Sequence, residues 1–471
     1  MTRPADADTD ADAVVVGAGI GGLVAAHTLV ERGLRVVVLE ASERAGGPVR
    51  GGSFPSVPDV PLDLGAESFA VRGGTVERLA EELGLTVEAP AGLTAWGYAA
   101  GRAFPLPAAG VLGIPSRPWA ADVRRAIGWP GALRGALDRV LPARFVDTTD
   151  LGAFARSRLG SRVVDRLVAP VAAGVHSAPL DRLDVAAVAP GLLEAYSRTG
   201  SLSQAVAALR AAAPPGSAVR GIDGGIHALV DALLERLDVR CGAPVVEVRR
   251  ASGGAGTGVA GIGRPADWLV RTEAGQTLRT PRLVLATRTE LGPAALAMPP
   301  APERGADIRL VTLLLEAPEL DAAPRGSGML VAPGTAPGAV RAKALTHATA
   351  KWPWFARRVR DAVGQGWHVV RLSYGRIGEP TPDPTAEEAA RDASALLGVD
   401  LTGRVRDSVH QRWDGSLPPP TPAYRAAIKE FEAAVLAEPG LDVTGGWVAG
   451  TGLAAIVGHA QGTAGRLGEP G

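Results

Sequence analysis

One short segment near the N-terminus constrains the fold more than any other part of this chain. Four apolar residues run directly into Gly17, Gly19 and Gly22, which have the spacing G-x-G-x-x-G. A helical pattern follows, and a second apolar run over 36–39 closes on Glu40. In a βαβ unit, such glycines let the backbone approach a pyrophosphate at the helix N-terminus, and the acidic residue accepts the ribose hydroxyls. The sequence therefore predicts an α/β, Rossmann-like domain that binds an ADP moiety.

The residues after Glu40 distinguish between two dinucleotides. They have the pattern E-x-x-x-R-x-G-G-x-x-R, which places Arg44, Gly46 and Gly47 immediately after the second strand. Arg44 offers a fixed cation to a diphosphate, and the two glycines let the backbone lie against a cofactor. This pattern resembles the second cofactor segment of the flavin amine oxidase superfamily. It favours FAD over NAD.

Composition excludes several classes of function. The 471-residue chain predicts two or three structural units. Its formal net charge is +0, so no overall field attracts nucleic acid. Cys241 is the only cysteine, which rules out an intramolecular disulfide and a cysteine-based metal centre. Cys241 lies in an apolar strand pattern, so we expect a buried thiol, and the spacing of the seven histidines predicts no metal site.

The order of patterns along the chain predicts a discontinuous cofactor domain. We expect a disordered tail at 1–12, an FAD-binding domain at 13–89, 217–289 and 413–471, a mainly helical insertion at 90–216, and a mixed α+β substrate-binding domain at 290–412. A glycine-rich turn is predicted at 251–263, and a strand plus a tight turn at 445–452. The polar N-terminus does not resemble a signal peptide, and no apolar run is long enough to span a membrane. We therefore expect a cytoplasmic protein, with peripheral membrane contact left open.

Several further stretches carry a resemblance over 14–464. They are Leu64–Phe69, Val171–Ser177, Asp223–Ile226, Lys343–Thr346 with Lys351–Pro353, and Arg412–Trp413. With these stretches the chain resembles the oxygen-dependent protoporphyrinogen/coproporphyrinogen oxidases, which have an amine-oxidase-like fold. The resemblance implies that FAD contacts Gly17, Gly19, Gly22, Glu40, Arg44, Gly47, Gly65, Ala66, Val245, Gly452, Leu453 and Ala454. We include the neighbouring positions Ala41, Gly46, Glu67 and Gly450.

The resemblance also implies a reaction. A porphyrinogen loses six electrons in three two-electron steps, with hydride passing from a methylene bridge to flavin N5 and O2 reduced to H2O2. No protein base is obligatory, so we assign no catalytic side chain. The propionate arms of the substrate need cations, for which Arg72, Lys343 and Lys351 are the candidates. We favour coproporphyrinogen III over protoporphyrinogen IX, within haem biosynthesis and with a ferrochelatase acting downstream.

Two alternatives stay open at this point. The first is another oxidoreductase of the superfamily, an amine oxidase or a carotenoid desaturase. The low aromatic content of 4%, with no aromatic pair beside the C-terminal motif, argues against the aromatic cage of an amine oxidase. The second is a non-catalytic binding protein on the FAD fold. The chain also departs from the family pattern at Pro48, at Gly51 and in the Pro-rich stretch 418–422.

Overall fold

The computed structural model describes most of the chain. The described residues are 11–108, 110–142, 146–148, 150–212, 219–251, 267–290, 296–334, 340–419 and 421–468, and the side chain of Arg72 lies outside the description. Most of the expected tail and residues 252–263 of the predicted glycine-rich turn are likewise outside it. The last two residues of the expected tail are ordered, because Ala11 is buried and Asp12 pairs with Arg35.

Strands and helices alternate as the patterns predict, with some additions. The strands are β1 Ala13–Val16, β2 Val36–Leu39, β3 Gly51–Phe54, β4 Val57–Asp63, β5 Phe69–Ala70, β6 Val87–Glu88, β7 Trp96–Ala99, β8 Arg102–Pro105, β9 Gly110–Val111, β10 Ile114–Pro115, β11 Val219–Ile222, β12 Asp238–Arg240, β13 Val245–Arg250, β14 Trp268–Thr272, β15 Thr277–Thr280, β16 Leu283–Leu285, β17 Ala306–Glu316, β18 Gly328–Val331, β19 Ala344–His347, β20 Trp367–Tyr374, β21 Val405–Ser416 and β22 Leu441–Val443. The helices are α1 Ile20–Val30, α2 Thr75–Glu82, α3 Ala121–Ala136, α4 Leu151–Leu159, α5 Ser161–Val163, α6 Gly174–His176, α7 Val185–Val188, α8 Leu192–Thr199, α9 Leu202–Ala212, α10 Ala228–Leu234, α11 Ala348–Lys351, α12 Pro353–Val363, α13 Ala386–Leu397, α14 Pro422–Leu436, α15 Gly446–Ala449 and α16 Leu453–Leu467.

A parallel sheet of five strands forms the first layer. Its order is β12-β2-β1-β16-β22, and each neighbouring pair is parallel. The three central strands, β2, β1 and β16, are continuous apolar runs because both of their faces are covered. Val15 and Val38 pack beneath α1 and α16, whereas Val14 and Val37 pack on the opposite face against Trp268 of the β13-β14-β15 sheet.

A second, seven-stranded sheet lies beyond the first and has the order β21-β17-β20-β19-β18-β7-β8. One face is buried against α13 through Leu313, Leu345 and Leu372. Strands β7 and β8 come from the segment expected to be mainly helical. Because Trp96–Ala99 pairs in parallel with Gly328–Val331, the start of that segment extends this sheet.

Helices α3 to α9, with a π-helical segment at Val164–Ala173, pack as a separate helical unit. Its interior holds a buried ion pair, in which Arg158 Nε donates to Asp138 Oδ1 over 2.7 Å. Asp138 also accepts hydrogen bonds from the backbone and hydroxyl groups of Ser203, so the pair is fully satisfied. This carboxylate ties three helical segments together, because Ser203 lies at the start of α9 and Arg158 in α4.

Two local predictions are wrong. The predicted strand plus tight turn at 445–452 is a one-turn helix, Gly446–Ala449, because the strand has already ended at Val443. Cys241 is exposed instead of buried, since it follows β12, an edge strand whose own residues are exposed or half-buried. Among the described residues, no helix is long and apolar enough to cross a membrane.

Candidate active site

The glycines of the first βαβ unit lie where strand β1 meets helix α1. A Cβ on Gly22 would lie 1.9 Å from the Gly17 carbonyl oxygen, so this position requires a residue without a side chain. Gly17 has a φ of +102°, a value that L side chains rarely adopt. By contrast, a Cβ on Gly19 would meet no protein atom within 4 Å. Gly19 therefore borders open space at the N-terminus of α1.

The second glycine segment lies directly beside the first. Gly46 N donates to Ala18 O over 2.7 Å, and Gly19 and Gly46 form a parallel bridge. Gly46 is buried, whereas Gly47 and Arg44 are exposed at the rim. The two segments, 27 residues apart at this bridge (46 minus 19), thus line one edge of the parallel sheet.

Glu40 lies at the end of β2, at the same edge. Its carboxylate accepts a hydrogen bond from Ala18 N over 2.7 Å and two from Ser42. The Glu40 carbonyl oxygen accepts from Ala243 N over 2.8 Å, which brings the start of β13, Val245, to this side. Ala41 is exposed next to it. The glutamate therefore connects the glycine turn, the rim and β13.

The C-terminal segment returns to this edge. A Cβ on Gly21 would lie 2.8 Å from Gly445 Cα, so the backbones of α1 and of the turn before α15 almost touch. Helix α16 begins at Leu453, and its preceding residue, Gly452, has no side chain to cap the helix. The exposed Gly450 and Gly452 border open space, and the Ala454 carbonyl oxygen accepts from the hydroxyl of Thr75. Two uncapped helix N-termini therefore lie at one edge of the sheet.

The loop that contains Gly65, Ala66 and Glu67 is held by the second sheet. A Cβ on Gly65 would lie 2.0 Å from the Pro48 carbonyl oxygen, so this loop lies against the second glycine segment. Arg371 of β20 donates to the carbonyl oxygens of Asp63 and Gly65, each over 3.1 Å. Ala66 is half-buried between these contacts.

Glu67 is the electrostatic centre of this loop. Its carboxylate pairs with Lys351 Nζ at 2.6 Å and with an Arg371 nitrogen at 2.7 Å, and it accepts from the Thr346 hydroxyl. Burial raises the pKa of Glu67, but Arg371 and Lys351 outweigh it and hold the pKa at about 2. Lys351, a predicted substrate cation, therefore already has a partner on the protein.

Asp63, at the end of β4, anchors a further loop. It accepts hydrogen bonds from Ile226 N, His227 N and His227 Nδ1. Burial lowers the pKa of His227, but its hydrogen bond to Asp63 more than compensates, so the net shift is upward. A Cβ on Gly51 would lie 2.4 Å from the His227 ring, which gives a physical reason for the departure from the family pattern at Gly51.

Lys343, the other predicted substrate cation that is described, lies elsewhere. It precedes β19, whereas Lys351 follows it, so the strand separates the two lysines. Lys343 is 4% exposed, and its ammonium donates to the hydroxyl of Ser177, at the seam with the helical unit. Burial and the neighbouring Arg376 lower the pKa of Lys343 to about 7. Within the described part of the chain, no carboxylate forms an ion pair with it.

Several residues that shape the site were not predicted from the sequence as site residues: Asp63, His227, Arg371 and Arg376. Trp413 was named only within a stretch that carries the resemblance, and its indole donates to Leu64 O over 2.6 Å. Asp63 and His227 adjoin family-like stretches, so their position next to a motif was an available signal. Arg371 and Arg376 had none, because they lie in or after a strand about 300 residues from the loop that Arg371 holds.

The arrangement fits a bound dinucleotide. The uncapped N-terminus of α1 and the open space at Gly19 suit an anionic diphosphate. Arg50, the last residue of the second glycine pattern, has a buried Nε with no hydrogen-bond partner among the described residues. A buried donor without an acceptor is costly and indicates a ligand atom at that place.

Comparison with known proteins agrees with this geometry. The family model of the flavin containing amine oxidoreductases matches residues 20–295, more than half of the chain. The chain belongs to this family. It is an oxidoreductase, and its cofactor is FAD.

Relatives with assigned functions resemble the chain over nearly its whole length. The coproporphyrinogen III oxidase of Mycobacterium tuberculosis (strain ATCC 25618 / H37Rv) is 30% identical, over 95% of this chain and 95% of the relative. The coproporphyrinogen III oxidase of Propionibacterium freudenreichii subsp. freudenreichii is also 30% identical, over 95% of this chain and 89% of the relative.

Solved structures share the fold at lower identity. A structure from Exiguobacterium sp. 255-15, provisionally named a protoporphyrinogen oxidase, superposes with a TM-score of 0.75 at 22% identity, over 97% of this chain and 98% of the other. The cyclohexylamine oxidase of Brevibacterium oxydans IH-35A gives a TM-score of 0.62 at 15% identity, over 98% and 99%. The fold alone therefore does not select the substrate.

Proposed function

We propose that this oxidoreductase converts coproporphyrinogen III to coproporphyrin III with O2 as the acceptor. Each molecule of product would require removal of six hydrogens, balanced by reduction of three O2 to three H2O2. The observation that carries the proposal is Lys343, a buried lysine without a carboxylate partner in the described chain. The names of the relatives that cover the whole chain support the same substrate class.

The cofactor would lie along the edge formed by the two glycine segments and the C-terminal turn. When bound, FAD supplies the two-electron acceptor for the reaction. We assign its contacts to the predicted residues at this edge, with Glu40 on the ribose and Arg44 on the diphosphate. Glu67 takes a different part in this proposal, because its carboxylate is occupied by Lys351 and Arg371. It would hold the loop that supports the flavin.

Of the candidate cations, Lys343 suits a substrate propionate best. Its charge is unbalanced, whereas Glu67 neutralises Lys351. Arg376 adds a second cation beside Lys343, with one nitrogen 3.5 Å from Glu379 and a buried Nε that has no partner among the described residues. A propionate between Lys343 and Arg376 would supply the missing acceptor. Arg72 stays a candidate on sequence alone.

An amine oxidase is the second candidate. The structure does pair Trp447, next to the C-terminal motif, with Phe431, at 5.7 Å between ring centroids. Phe431 is a core residue, and Trp447 packs against the same cluster beneath the parallel sheet. The pair is therefore part of the core instead of a cage around an amine, which weakens the alternative.

Purified protein with its flavin tests the proposal. Coproporphyrinogen III and protoporphyrinogen IX, supplied separately in air, should give porphyrin fluorescence and peroxide above the rate without enzyme, and faster with the first substrate. Anaerobic samples are the control for the acceptor. Bound FAD with no porphyrin from either substrate would overturn the proposal and favour the amine oxidase or desaturase, and absence of flavin would favour a non-catalytic protein. A downstream ferrochelatase and a cytoplasmic location belong to the same proposal.

A further inference from the structure

Helix α10 and the turn before it contact the second glycine segment, residues 44–50, at both of its ends. A Cβ on Gly46 would lie 3.1 Å from the side chain of Val230, which is buried on α10. Gly51, directly after the segment, lies against the ring of His227, the residue that precedes α10. The position of α10 therefore helps to set the position of the second glycine segment.

A single carboxylate fixes the orientation of the His227 ring. Asp63 accepts a hydrogen bond from His227 Nδ1 over 2.9 Å and another from the backbone N–H of the same residue over 3.1 Å. The side chains of His227 and Asp63 are only 14% and 10% exposed. Asp63 also pairs with Gly51 across strands β3 and β4. The carboxylate, the imidazole and the end of the glycine segment therefore form one group of contacts.

Two glycines make room for this pair. Gly225 has a φ of +103°, and a Cβ there would lie 2.7 Å from the His227 ring, at Cε1, and 3.0 Å from Asp63 Oδ1. A Cβ on Gly51 would overlap the same ring at Cδ2. A side chain at either position would displace the imidazole, so the backbone encloses the ring closely.

Arg50 is held next to this pair. It directly precedes Gly51, and its carbonyl oxygen accepts from Leu64 N, next to Asp63, over 2.8 Å. Its Nε is buried and has no hydrogen-bond partner among the described residues. Such a donor is costly unless a ligand supplies an acceptor. The groups that hold the Arg50 backbone are thus the immediate neighbours of Asp63 and His227.

We propose that Asp63 and His227 form a positioning pair, which holds Arg50 where its Nε meets an acceptor of bound FAD and so determines how tightly the cofactor binds. The proposal rests on the proposed placement of FAD at this edge. The pair acts through the backbone of Arg50 and does not need to touch the cofactor. Because it depends on one hydrogen bond between the two side chains, it can be broken by a change on the histidine alone.

The imidazole also makes this positioning dependent on pH. In the described chain the charged groups that act on it are Asp63, at the end of β4, and Asp231, one turn later on α10. Burial lowers the pKa of His227, but the hydrogen bond and the charge of Asp63, together with Asp231, outweigh it, so the net pKa shift is upward. Protonated His227 donates a charge-assisted hydrogen bond, which weakens when the ring loses its proton. FAD should therefore bind more tightly below this pKa than above it.

Release of FAD from the full-length holoprotein tests the proposal, with the free flavin measured by its fluorescence after dilution. His227→Phe keeps a ring of similar size against Gly51 but cannot bond to Asp63, so it should raise the dissociation constant for FAD about tenfold. His227→Asn keeps a donor near the position of Nδ1 and should retain most of the affinity. Between pH 6 and pH 8 the dissociation constant of the wild type should rise by at least about threefold. That of His227→Asn should stay constant, because an amide does not titrate in this range.

His368→Phe is the matched control. The side chain of His368 is 10% exposed and pairs with Asp321 over 3.0 Å, so it also loses a hydrogen bond to a carboxylate. His368 lies opposite Leu315 on the face of the second sheet that α13 covers, away from the cofactor edge. This variant should lower the melting temperature but leave the affinity for FAD unchanged.

The proposal is overturned if His227→Phe and His368→Phe bind FAD alike, or if the wild type and His227→Asn have the same pH profile. The pH profile decides the matter even if His227→Phe does not fold. A loss of affinity in Arg44→Met without one in His227→Phe would overturn the positioning pair and leave the placement of FAD intact. No loss in either variant would overturn both.

Discussion

The proposed cofactor edge and the proposed substrate side of this protein are built in different ways. The cofactor edge is made mostly of backbone. At Gly22 and Gly65 a Cβ would clash with a carbonyl oxygen, and at Gly17 the φ angle is one that L side chains rarely adopt. The region of the candidate substrate cations is made of charged side chains that meet across hundreds of residues, such as Lys351 with Glu67. A backbone site requires particular residue types at fixed spacings, whereas an ion-pair network requires only that distant segments meet.

The largest loss of stability from this difference is expected at Gly22. In Gly22→Ala the new Cβ would lie 1.9 Å from the Gly17 carbonyl oxygen, so helix α1 must move away from β1. We expect a loss of stability of about 3 kcal/mol or more, together with loss of flavin. Chemical denaturation of the apoprotein and the flavin absorbance of the purified protein measure the two effects.

Gly19→Ala is the matched variant. Its Cβ would meet no protein atom, and the φ of Gly19 is −69°, so the fold should lose at most about 1 kcal/mol. Flavin affinity should still fall, because the added methyl group occupies the space assigned to the diphosphate. Equal stability losses in the two variants would contradict the distinction between a packed glycine and a ligand-facing one.

The second prediction concerns Glu67. In Glu67→Gln two half-buried cations, Lys351 and Arg371, lose their shared carboxylate, and we expect a stability loss of about 3 kcal/mol at neutral pH. The folded pKa of about 2 lies below the ordinary value of 4.5, so this contribution is present above pH 4.5 and is lost as the pH falls towards 2. The difference between wild type and variant should therefore shrink below pH 4.5.

A surface ion pair provides the control for that variant. Glu194 pairs with Arg198 one turn later on α8, and both side chains are mostly exposed. Glu194→Gln should cost less than about 1 kcal/mol at any pH. If Glu67→Gln also lowered the stability by less than about 1 kcal/mol, the network around Glu67 would contribute little to the fold.

The cofactor edge and the network around Glu67 also show how much of the structure could be predicted from the sequence. The βαβ unit and the second glycine segment were predicted from spacing and periodicity, because each depends on residues close together in the chain. The contact of Arg371 with the Gly65 loop was not predicted, because no sequence pattern near either residue indicates that the two segments meet. Strand β7 was missed for the same reason, because its partner strand β18 lies more than 200 residues later, and β8 joins the sheet only by pairing with β7. Lys343 was identified as a candidate substrate cation, but the sequence did not predict that its side chain would be buried.

The third prediction has the opposite sign from the first two. The folded pKa of Lys343, about 7, lies below the ordinary value of 10.5, so the buried charge destabilises the fold below pH 7. This penalty is relieved as the pH rises from 7 to 10.5. Lys343→Met should therefore stabilise the protein, by a few kcal/mol at pH 6 and less at pH 10.

A lysine kept at a cost in stability implies a function, and the same variant tests it. Lys343→Met should raise KM for coproporphyrinogen III with a smaller change in kcat, whereas the exposed Lys429→Met should change neither. If Lys343→Met destabilises the protein at every pH and leaves KM unchanged, the lysine is structural, and the substrate side loses its proposed cation.

The smallest effect on the fold is expected at Arg44, which is exposed at the rim of the cofactor edge. In Arg44→Met the stability of the apoprotein should stay within about 0.5 kcal/mol, while the dissociation constant for FAD rises about tenfold. Arg44→Lys should recover only part of the affinity, because a point charge replaces a planar fork.

Arg391→Met, at an exposed arginine on α13, should leave both the apoprotein stability and the FAD affinity unchanged. Titration of the apoproteins with FAD measures the affinities. A clear loss of apoprotein stability in Arg44→Met would mean that side chains support the fold on the cofactor edge too, and the contrast between the two sides of the molecule would fail there.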